Sequence, residues 1–232
     1  AFLPVKPMEN NKIPVRQALM DKTKSYLKAD LNNLSVVLVG PRHPGNIGAV
    51  ARAMKNMGVR DLAMVRPHAA IDEQSTAMAC GADDILEKSR SCETLAEAIA
   101  QSSITIATSA RTGRRRRETL SPREAAELLA PLTWTNQIAM VFGTEASGLS
   151  NEDVHRCQYM VCIPTEEEFS SLNLAQAVLL LCYEMKAASF TRPPRKRVLA
   201  PHSELDGMYD HICSSLHKIG FLHPQNRPDQ MM

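Results

Sequence analysis

The sequence predicts an α/β fold in which a parallel sheet is flanked by helices. Short apolar runs recur along the chain, and most are separated by segments whose apolar residues have helical spacing. Within each run apolar and polar residues do not alternate, which is typical of strands covered on both faces. The runs are at 36–39, 61–65, 104–108, 138–142 and 159–163. Strands that alternate with helices favour parallel pairing, so we expect one such sheet.

Local signals predict where several of the helices begin and end. Residues 46–57 carry Ala, Val and Met at helical spacing and are followed by Gly58, a typical helix stop. Ser121 is followed by a proline and then by Glu124, which is the pattern of a capping box and predicts a helix over 122–130. A weaker signal of the same kind at Ser150 predicts a further helix start.

The C-terminal third of the sequence predicts two long helices. The apolar stretch 172–190 is expected to form a buried helix, which Arg192-Pro193-Pro194 should end because proline cannot continue the amide ladder. Beyond this basic linker, residues 203–219 place apolar side chains at helical spacing. We expect them to form a separate helix that docks on the core or on a partner.

A length of 232 residues is enough for one domain with appendages. The polar residues 1–34 form the predicted N-terminal appendage, 35–191 the main domain, and 192–232 the basic linker with a C-terminal helical extension. No internal repeat is visible.

Composition excludes several classes of protein. Hydrophobic residues make up 44% and charged residues 22%, which is ordinary for a folded chain and unlike a disordered or collagen-like one. The longest apolar windows fall far short of the roughly 18 residues that a membrane helix needs, so no membrane span is expected.

Cysteine usage predicts a reducing compartment. The six cysteines include no Cys-x-x-Cys pair, and the chain does not open with a signal-peptide pattern. We therefore expect reduced, mostly buried thiols, a cytoplasmic protein and no bound metal.

The positive charge is concentrated in two short segments. Residues 111–117 contain five arginines, and 192–197 contain four basic residues. Without these nine, 18 basic residues remain against 25 acidic ones. Such a distribution favours a local contact with a polyanion, although two solvated loops would also explain it.

The segment Gly40–Gly48 joins the first strand to the first helix, where α/β proteins often bind phosphate. It has neither the Lys-Ser/Thr of a Walker loop nor the glycine spacing of a dinucleotide-binding fold. The absence of both patterns weakens the interpretation that the chain is a nucleotide-binding enzyme. Asn46 and Arg52 remain, both within the first two turns of the predicted helix. A guanidinium there can grip a phosphate, or it can be an ordinary surface arginine.

Two further loops follow predicted strands. The first holds Glu145 between Gly143 and Gly148, so that the backbone can approach a ligand closely and the carboxylate can accept hydrogen bonds. The second follows Ile163 and contains Ser171 and Asn173, which are also natural helix caps. Three loops at the ends of three strands predict one shared site.

These residues resemble a known family in order and spacing. Three motifs carry the resemblance: Asn46-x-Gly48 with Arg52, Gly143-x-Glu145-x-x-Gly148-Leu149, and Ile163-Pro164 with Ser171-Leu172-Asn173. They are similar to the three motifs of the SpoU/TrmH RNA 2′-O-methyltransferases, and an extended match at 107–111 and 183–184 is most similar to the TrmJ subgroup. The resemblance covers about 35–190. It implies the SPOUT fold, a parallel sheet whose C-terminal part forms a deep trefoil knot, usually in a homodimer.

The resemblance also implies a cofactor, S-adenosylmethionine, held largely by backbone groups of the three loops. The cofactor-binding positions that match are Thr108, Ser109, Ala110, Gly143, Glu145, Ile163, Ser171 and Leu172. Arg52 matches the catalytic arginine, and Asn46 and Asn173 match positions that shape the site.

For the mechanism implied by the family, we favour a positional role for Arg52. A neutral arginine base is unfavourable at pH 7, so Arg52 would hold the phosphate beside the target ribose and stabilise the developing alkoxide. A phosphate oxygen, a water or Ser171 would relay the proton.

Besides Arg52, a run of four arginines is expected to contact the RNA backbone, since it follows the loop at Thr108 closely. Its members are Arg114, Arg115, Arg116 and Arg117.

The RNA substrate is expected to be tRNA, at its anticodon loop, because the TrmJ subgroup acts there. Ribosomal RNA is the first alternative, and a non-catalytic RNA-binding dimer of the same fold is the second. The C-terminal extension is shorter than that subgroup leads us to expect.

Overall fold

A seven-stranded sheet forms the centre of the computed structural model, which describes residues 26–109, 119–191 and 198–222 apart from the side chain of Glu167. The strands in chain order are β1 (Leu27–Lys28), β2 (Leu34–Val39), β3 (Asp61–Val65), β4 (Arg90–Cys92), β5 (Ile104–Thr108), β6 (Thr119–Leu120), β7 (Ile138–Phe142), β8 (Tyr159–Val161) and β9 (Ser189–Phe190). The sheet has the order β4-β3-β2-β7-β5-β8-β6, and each neighbouring pair in it is parallel. The predicted α/β fold class is confirmed, while the knot stays a prediction.

Helices connect and cover these strands. The α-helices are α1 (Pro44–Met57), α2 (Glu73–Ala79), α3 (Asp83–Glu87), α4 (Leu95–Ile99), α5 (Pro122–Leu129), α6 (Asn151–His155), α7 (Leu174–Ala187) and α8 (His202–Lys218). Short 3₁₀ helices lie at Leu31–Asn33, Ala130–Trp134 and Glu167–Phe169. Within the described ranges, no helix is long and apolar enough to cross a membrane.

Parts of the predicted appendages lie outside the described residues. These are most of the N-terminal appendage, the basic linker at 192–197 and the end of the C-terminal extension. The predicted division of the chain at 34 and 191 therefore stays a prediction.

The core lies on both faces of the sheet, which explains the unbroken apolar runs. In β2, Val36 and Leu38 belong to the core cluster that contains residues of α1, α2, α5 and α7. Val37 and Val39 belong to the cluster on the other face, which contains residues of α4. Successive strand residues point to opposite faces, so both sets must be apolar when helices cover both sides.

Two strand predictions need corrected bounds. The run predicted at 36–39 begins earlier, at Leu34, and the run predicted at 159–163 ends at Val161. Val161 pairs with Thr108, the last residue of β5, and with Leu120, the last residue of β6, so the ladders on both sides of β8 end here. The chain therefore continues as a loop from Cys162.

The helix predicted over 172–190 is shorter, and its predicted stop signal was wrong. It begins after Asn173 and ends at Ala187, well before the prolines, because Ala188 is already extended with a ψ of 139°. The next two residues, Ser189–Phe190, pair antiparallel with Leu27–Lys28. A distant strand therefore ends the helix, which sequence periodicity alone does not reveal.

The expected full burial of this helix was also wrong. Val178, Leu181 and other side chains of α7 are buried, but Leu179, Leu180 and Tyr183 are 37%, 40% and 53% exposed. The helix therefore keeps an exposed apolar face.

Helices α1 and α7 lie side by side. At their starts the Asn173 side chain donates from Nδ2 to Oδ1 of Asn46, at 3.0 Å. Near their ends Lys186 Nζ donates to the carbonyl oxygen of Asn56, at 3.1 Å. The two helices thus run in the same direction, with the loops that precede them held together.

Helix α8 meets the domain through its first turn. The backbone N–H groups of His202 and Ser203 donate to the carbonyl oxygens of Ser102 and Ala100. His202 Nε2 also lies 3.2 Å from the Thr105 hydroxyl. No residue of α8 itself is buried.

Gly48 allows helix α1 to approach α2 closely. A Cβ atom at this position would lie 2.0 Å from the carbonyl oxygen of Ser75, far inside a van der Waals contact. The glycine of the first motif therefore has a packing role.

Gly48→Ala should lower the free energy of unfolding by about 1–3 kcal/mol or more, because α1 and α2 must separate. Urea denaturation measures the change. Gly207→Ala in α8 is the control, since a Cβ there meets nothing within 4 Å, and it should leave stability unchanged or raise it by up to about 1 kcal/mol. Equal stability of the two variants would contradict this role for Gly48.

Candidate active site

A cavity of about 290 Å³ opens at the carboxyl ends of three adjacent strands, β7, β5 and β8. Its walls come from the residues that follow each of these strands and from the first turn of α7. Two of the three loops that the sequence places at strand ends, those after β7 and β8, therefore meet around one space together with the loop after β5, whereas the loop after β2 does not line it. Its volume is near the lower end of the roughly 300–1,000 Å³ of small-molecule sites.

Most of the predicted cofactor-binding residues line this cavity. They are Thr108, Ser109, Gly143, Glu145, Ile163, Ser171 and Leu172. Asn46, Arg52 and Asn173 are not part of the lining.

Five predicted site residues lie outside the described residues, so their predicted roles stay predictions. They are Ala110 of the cofactor loop and the four arginines expected to contact RNA, namely Arg114, Arg115, Arg116 and Arg117.

Sequence reasoning did not assign several lining residues to cofactor binding, although two of them, Gly148 and Leu149, belong to the second motif. They are Phe142, Thr144, Ala146, Ser147, Gly148, Leu149, Ser170, Leu174 and Ala177. Those from 142 to 149 adjoin predicted positions in the same loop. Leu174 and Ala177 are three residues apart on one face of a helix, a spacing that could have indicated them.

The loop from Gly143 to Gly148 folds back on itself. Thr144 and Gly148 exchange backbone hydrogen bonds at 3.2 and 2.9 Å, and the Thr144 hydroxyl lies 2.8 Å from that of Ser147. A Cβ on Gly143 would lie 2.0 Å from the carbonyl carbon of Gly148. Glycine is therefore required at 143 for the loop to close.

The Glu145 carboxylate connects this loop to the loop that follows β2. It accepts hydrogen bonds from the backbone N–H groups of Arg42, at 3.1 Å, and His43, at 3.3 Å. It also accepts one from Nδ2 of Asn46, at 3.0 Å. Burial acts to raise the pKa of Glu145, but these hydrogen bonds outweigh it and hold the pKa below its usual value.

Asn173 connects the third loop to the same network. Its Nδ2 donates to Oδ1 of Asn46, and its own Oδ1 accepts from the backbone N–H of Ala175 at 2.9 Å. Asn173 is therefore both the cap of α7 and a link to Asn46. The chain Asn173–Asn46–Glu145 joins all three motifs by side-chain hydrogen bonds.

The remaining wall is fixed by hydrogen bonds to backbone carbonyl oxygens. Thr108 donates from its hydroxyl to the carbonyl oxygen of Val141, at 2.8 Å. The Ser109 N–H donates to the carbonyl oxygen of Val161, at 3.0 Å. The Ser171 hydroxyl has no hydrogen-bond partner in the part of the chain that is described, so it is available to a ligand.

Arg52 is exposed on α1, six residues beyond Asn46, and is not among the residues that line the cavity. Its Nη1 lies 3.3 Å from Sγ of Cys80, at the end of α2. In the described ranges no carboxylate lies within 4 Å of its guanidinium. The sequence prediction that Arg52 stands beside the cofactor loops stays a prediction.

The cysteines are all free thiols. Cys92, Cys157 and Cys182 are buried, whereas Cys80 is exposed. Burial raises the pKa of the Cys182 thiol to about 12. Among the residues described, no group of three or more His, Cys, Asp or Glu side chains could hold a metal ion.

Glu145→Gln should weaken the junction of the first two loops. Because the pKa of Glu145 is lowered by folding, its carboxylate stabilises the fold above about pH 4.5, the ordinary value, and this contribution is lost as the pH falls through the folded-state pKa. The variant should therefore be less stable at pH 7 and show a shallower loss of stability on acidification. Denaturation at pH 7 and between pH 5 and 3 measures both effects.

Glu127→Gln is the matched control, since Glu127 is an exposed carboxylate on α5. It should leave the stability at pH 7 unchanged. If Glu145→Gln followed the same pH curve as the control, the Glu145 network would contribute nothing to the fold.

Comparisons with known proteins agree with this arrangement. A model of the SpoU rRNA Methylase family matches residues 33–183. The tRNA (cytidine/uridine/adenosine-2′-O-)-methyltransferase TrmJ of Pseudomonas aeruginosa is 41% identical over 216 residues, which are 87% of this chain and 84% of that protein. The tRNA (cytidine/uridine-2′-O-)-methyltransferase TrmJ of Klebsiella pneumoniae is 38% identical over 210 residues, 87% of this chain and 86% of its own.

Solved structures show the same similarity. The crystal structure of TrmJ from Z. mobilis ZM4 superposes with a TM-score of 0.71 at 35% identity, covering 82% of each chain. Both the fold and a large part of the sequence are thus shared with these proteins. The resemblance predicted from the motifs is confirmed, and the chain belongs to the SpoU methylase family.

Proposed function

We propose that this protein transfers the methyl group of S-adenosylmethionine to a ribose 2′-hydroxyl of tRNA. The observation that supports this most is the meeting of the loops after β5, β7 and β8, two of which carry family motifs, around one cavity at the strand ends. The relatives named TrmJ act on tRNA, as their names state. We also propose a cytoplasmic location, where tRNA is found.

The cavity fits S-adenosylmethionine in its chemistry. Leu149, Ile163 and Leu172 give it apolar walls suited to a flat base, and loop backbone with the free Ser171 hydroxyl gives it polar groups. When bound, the cofactor supplies an activated sulfonium methyl group. The protein then needs to bind, orient and desolvate the reactants.

The Asn173–Asn46–Glu145 network would hold the three loops in place before the cofactor binds. Glu145 already accepts hydrogen bonds from three donors of the loop after β2 and the start of α1, so its role is to position the loop backbone. A prearranged set of backbone groups costs little reorganisation on binding.

Arg52 would bind the phosphate next to the target ribose and stabilise the oxyanion that forms on it. Its guanidinium is exposed, and its described partner is a cysteine sulfur, a weak acceptor that leaves other N–H groups free. The proton of the hydroxyl would pass to a phosphate oxygen, a water or Ser171.

Arg52 does not line the cavity of its own chain. In a homodimer it would reach the cavity of the partner subunit. Helix α7 exposes the apolar side chains of Leu179, Leu180 and Tyr183 beside α1, the helix that carries Arg52. Burial of this face against a second copy would place α1 close to the cavity of the partner subunit.

Ribosomal RNA is the second candidate substrate, favoured by the description of the matching family model. Mapping of the 2′-O-methyl groups that disappear from tRNA and rRNA in a deletion strain decides between the two.

Arg52→Ala should reduce methyl transfer to bulk tRNA by about 10²-fold or more while changing S-adenosylmethionine affinity little, because it removes a group that stabilises developing charge. A tritiated-methyl transfer assay and calorimetry measure the two quantities. Arg60→Ala is the control, since Arg60 is paired with Asp84.

Equal loss of cofactor affinity and methyl transfer would show a structural role for Arg52 instead. The dimer arrangement has its own test, the mixing of Arg52→Ala subunits with subunits inactivated by Gly143→Ala. Partial recovery of activity is expected, and none would contradict the shared site.

Replacing all four arginines of the 114–117 run by glutamine should make tRNA binding less dependent on salt. Each phosphate contact that is removed reduces the slope of log K against log salt by roughly 0.7–0.9, so four contacts give a change of about 3. Fluorescence anisotropy over a salt series measures the slope. An unchanged slope would make this segment a solvated loop.

A further inference from the structure

A second cavity, of about 550 Å³, lies on the other side of the 144–148 loop from the candidate cofactor cavity. The two cavities share Thr144, Ser147, Gly148 and Leu149 in their walls. The opposite wall of the second cavity contains Gly40 after β2 and Arg66 and His68 after β3. It therefore opens at the same edge of the sheet as the proposed active site, and we call it the outer groove.

The described arginines fall into two groups by their partners. Those paired with a carboxylate are Arg60, Arg90, Arg123 and Arg156. Arg42, Arg52 and Arg66 have no carboxylate partner in the ranges that the structure describes. Arg42 and Arg66 follow β2 and β3 at the sheet edge that carries the site, and Arg52 lies on the helix that follows Arg42. The uncompensated guanidinium groups are thus concentrated around the proposed active site.

Arg66 is held in an unfavourable backbone conformation. Its φ is +43°, in the left-handed region that an arginine rarely adopts. Surrounding hydrogen bonds fix it there, because its N–H donates to the carbonyl oxygen of Cys92 at 2.9 Å and the N–H of His68 donates to that of Pro41 at 3.0 Å. A glycine would adopt the same backbone conformation without strain. The presence of an arginine at this position therefore points to a role for its side chain.

The outer groove also contains a hydrogen-bond acceptor. Asp153 lines it, and its Oδ2 accepts from the N–H and hydroxyl of Ser150 at 3.2 and 2.6 Å. No ion pair joins Asp153 to Arg66 within the described ranges, so the groove presents a cation and an anion separately. A ligand with both an anionic group and a hydrogen-bond donor suits it better than a bare anion does. A nucleotide has a phosphate and base N–H groups.

We propose that the outer groove binds a nucleotide of the RNA that neighbours the methylated one, with Arg66 on its phosphate. This inference rests on the proposed RNA substrate and adds a subsite to it. The 144–148 loop then separates the two ligands, with the methyl donor on one side and the flanking nucleotide on the other. The position of that nucleotide would help to fix which ribose reaches the methyl group.

The test measures tRNA binding by the full chain over a salt series for Arg66→Gln and Arg66→Gly. Both variants should weaken binding about tenfold at roughly 0.1 M salt and reduce the salt slope by about 0.7–0.9, as expected when one phosphate contact is removed. S-adenosylmethionine binding should be unchanged. Arg66→Gly should melt at the same temperature as wild type or higher, because it removes the backbone strain.

Arg90→Gln is the matched control, since Arg90 is an exposed arginine that pairs with Asp61 at the opposite edge of the sheet. It should leave the salt slope unchanged. An Arg66→Gln protein that binds tRNA as the control does would overturn the inference. So would a loss of binding that merely follows a loss of thermal stability in both Arg66 variants.

Cytidine monophosphate serves as a free-nucleotide probe. If it bound in an Arg66-dependent way while RNA binding did not change, the groove would be a mononucleotide site and the inference would fail. Methyl transfer by the wild type separates this inference from the proposed function. If the wild type transfers no methyl group but tRNA binding depends on Arg66, the proposed function alone is contradicted. If the wild type transfers methyl groups but the Arg66 variants bind tRNA as the wild type does, this inference alone is contradicted.

Discussion

The hydrogen bonds of the Glu145 carboxylate are the constraint on which the site depends. The loops after β2, β7 and β8 are far apart in sequence, and among the described residues no strand ladder joins one of these loops to another. Glu145 joins the first two through the N–H groups of Arg42 and His43 and the side chain of Asn46, and Asn173 adds the third. Because the carboxylate is ionised in this setting, its hydrogen bonds are of the stronger, charge-assisted kind.

This arrangement separates two tasks within one edge of the sheet. Backbone and small side chains enclose the candidate cofactor cavity, and the ionisable side chain in its lining, Glu145, is used to hold loops together. The guanidinium groups without carboxylate partners in the described ranges, those of Arg42, Arg52 and Arg66, lie outside that cavity. Such a division suits a reaction in which the methyl donor is already activated and the polyanionic acceptor must be positioned beside it.

Much of the fold could be predicted because its signals are local. The strands at Ile104–Thr108 and Ile138–Phe142 have the predicted bounds, and the capping box at Ser121 begins the predicted helix. The early end of α7 could not be predicted, since it depends on pairing with Leu27–Lys28. The five- to seven-residue helices α2, α3 and α4 are too short for a periodic pattern to identify them.

The candidate site could be predicted only in part, for a similar reason. Family motifs indicated the residues of the loops. The hydrogen bonds of Asn46 with Glu145 and with Asn173, however, join residues that are 99 and 127 positions apart in the sequence. Sequence patterns do not predict contacts between residues so far apart. The contact between Arg52 and Cys80 could not be predicted from the sequence either. Calorimetric titration of S-adenosylmethionine into the wild-type protein tests the central claim, that the loops after β5, β7 and β8 enclose one methyl donor, most directly. One saturable site per chain is the predicted result, and a folded protein that binds tRNA but gives no saturable binding of S-adenosylmethionine would contradict it.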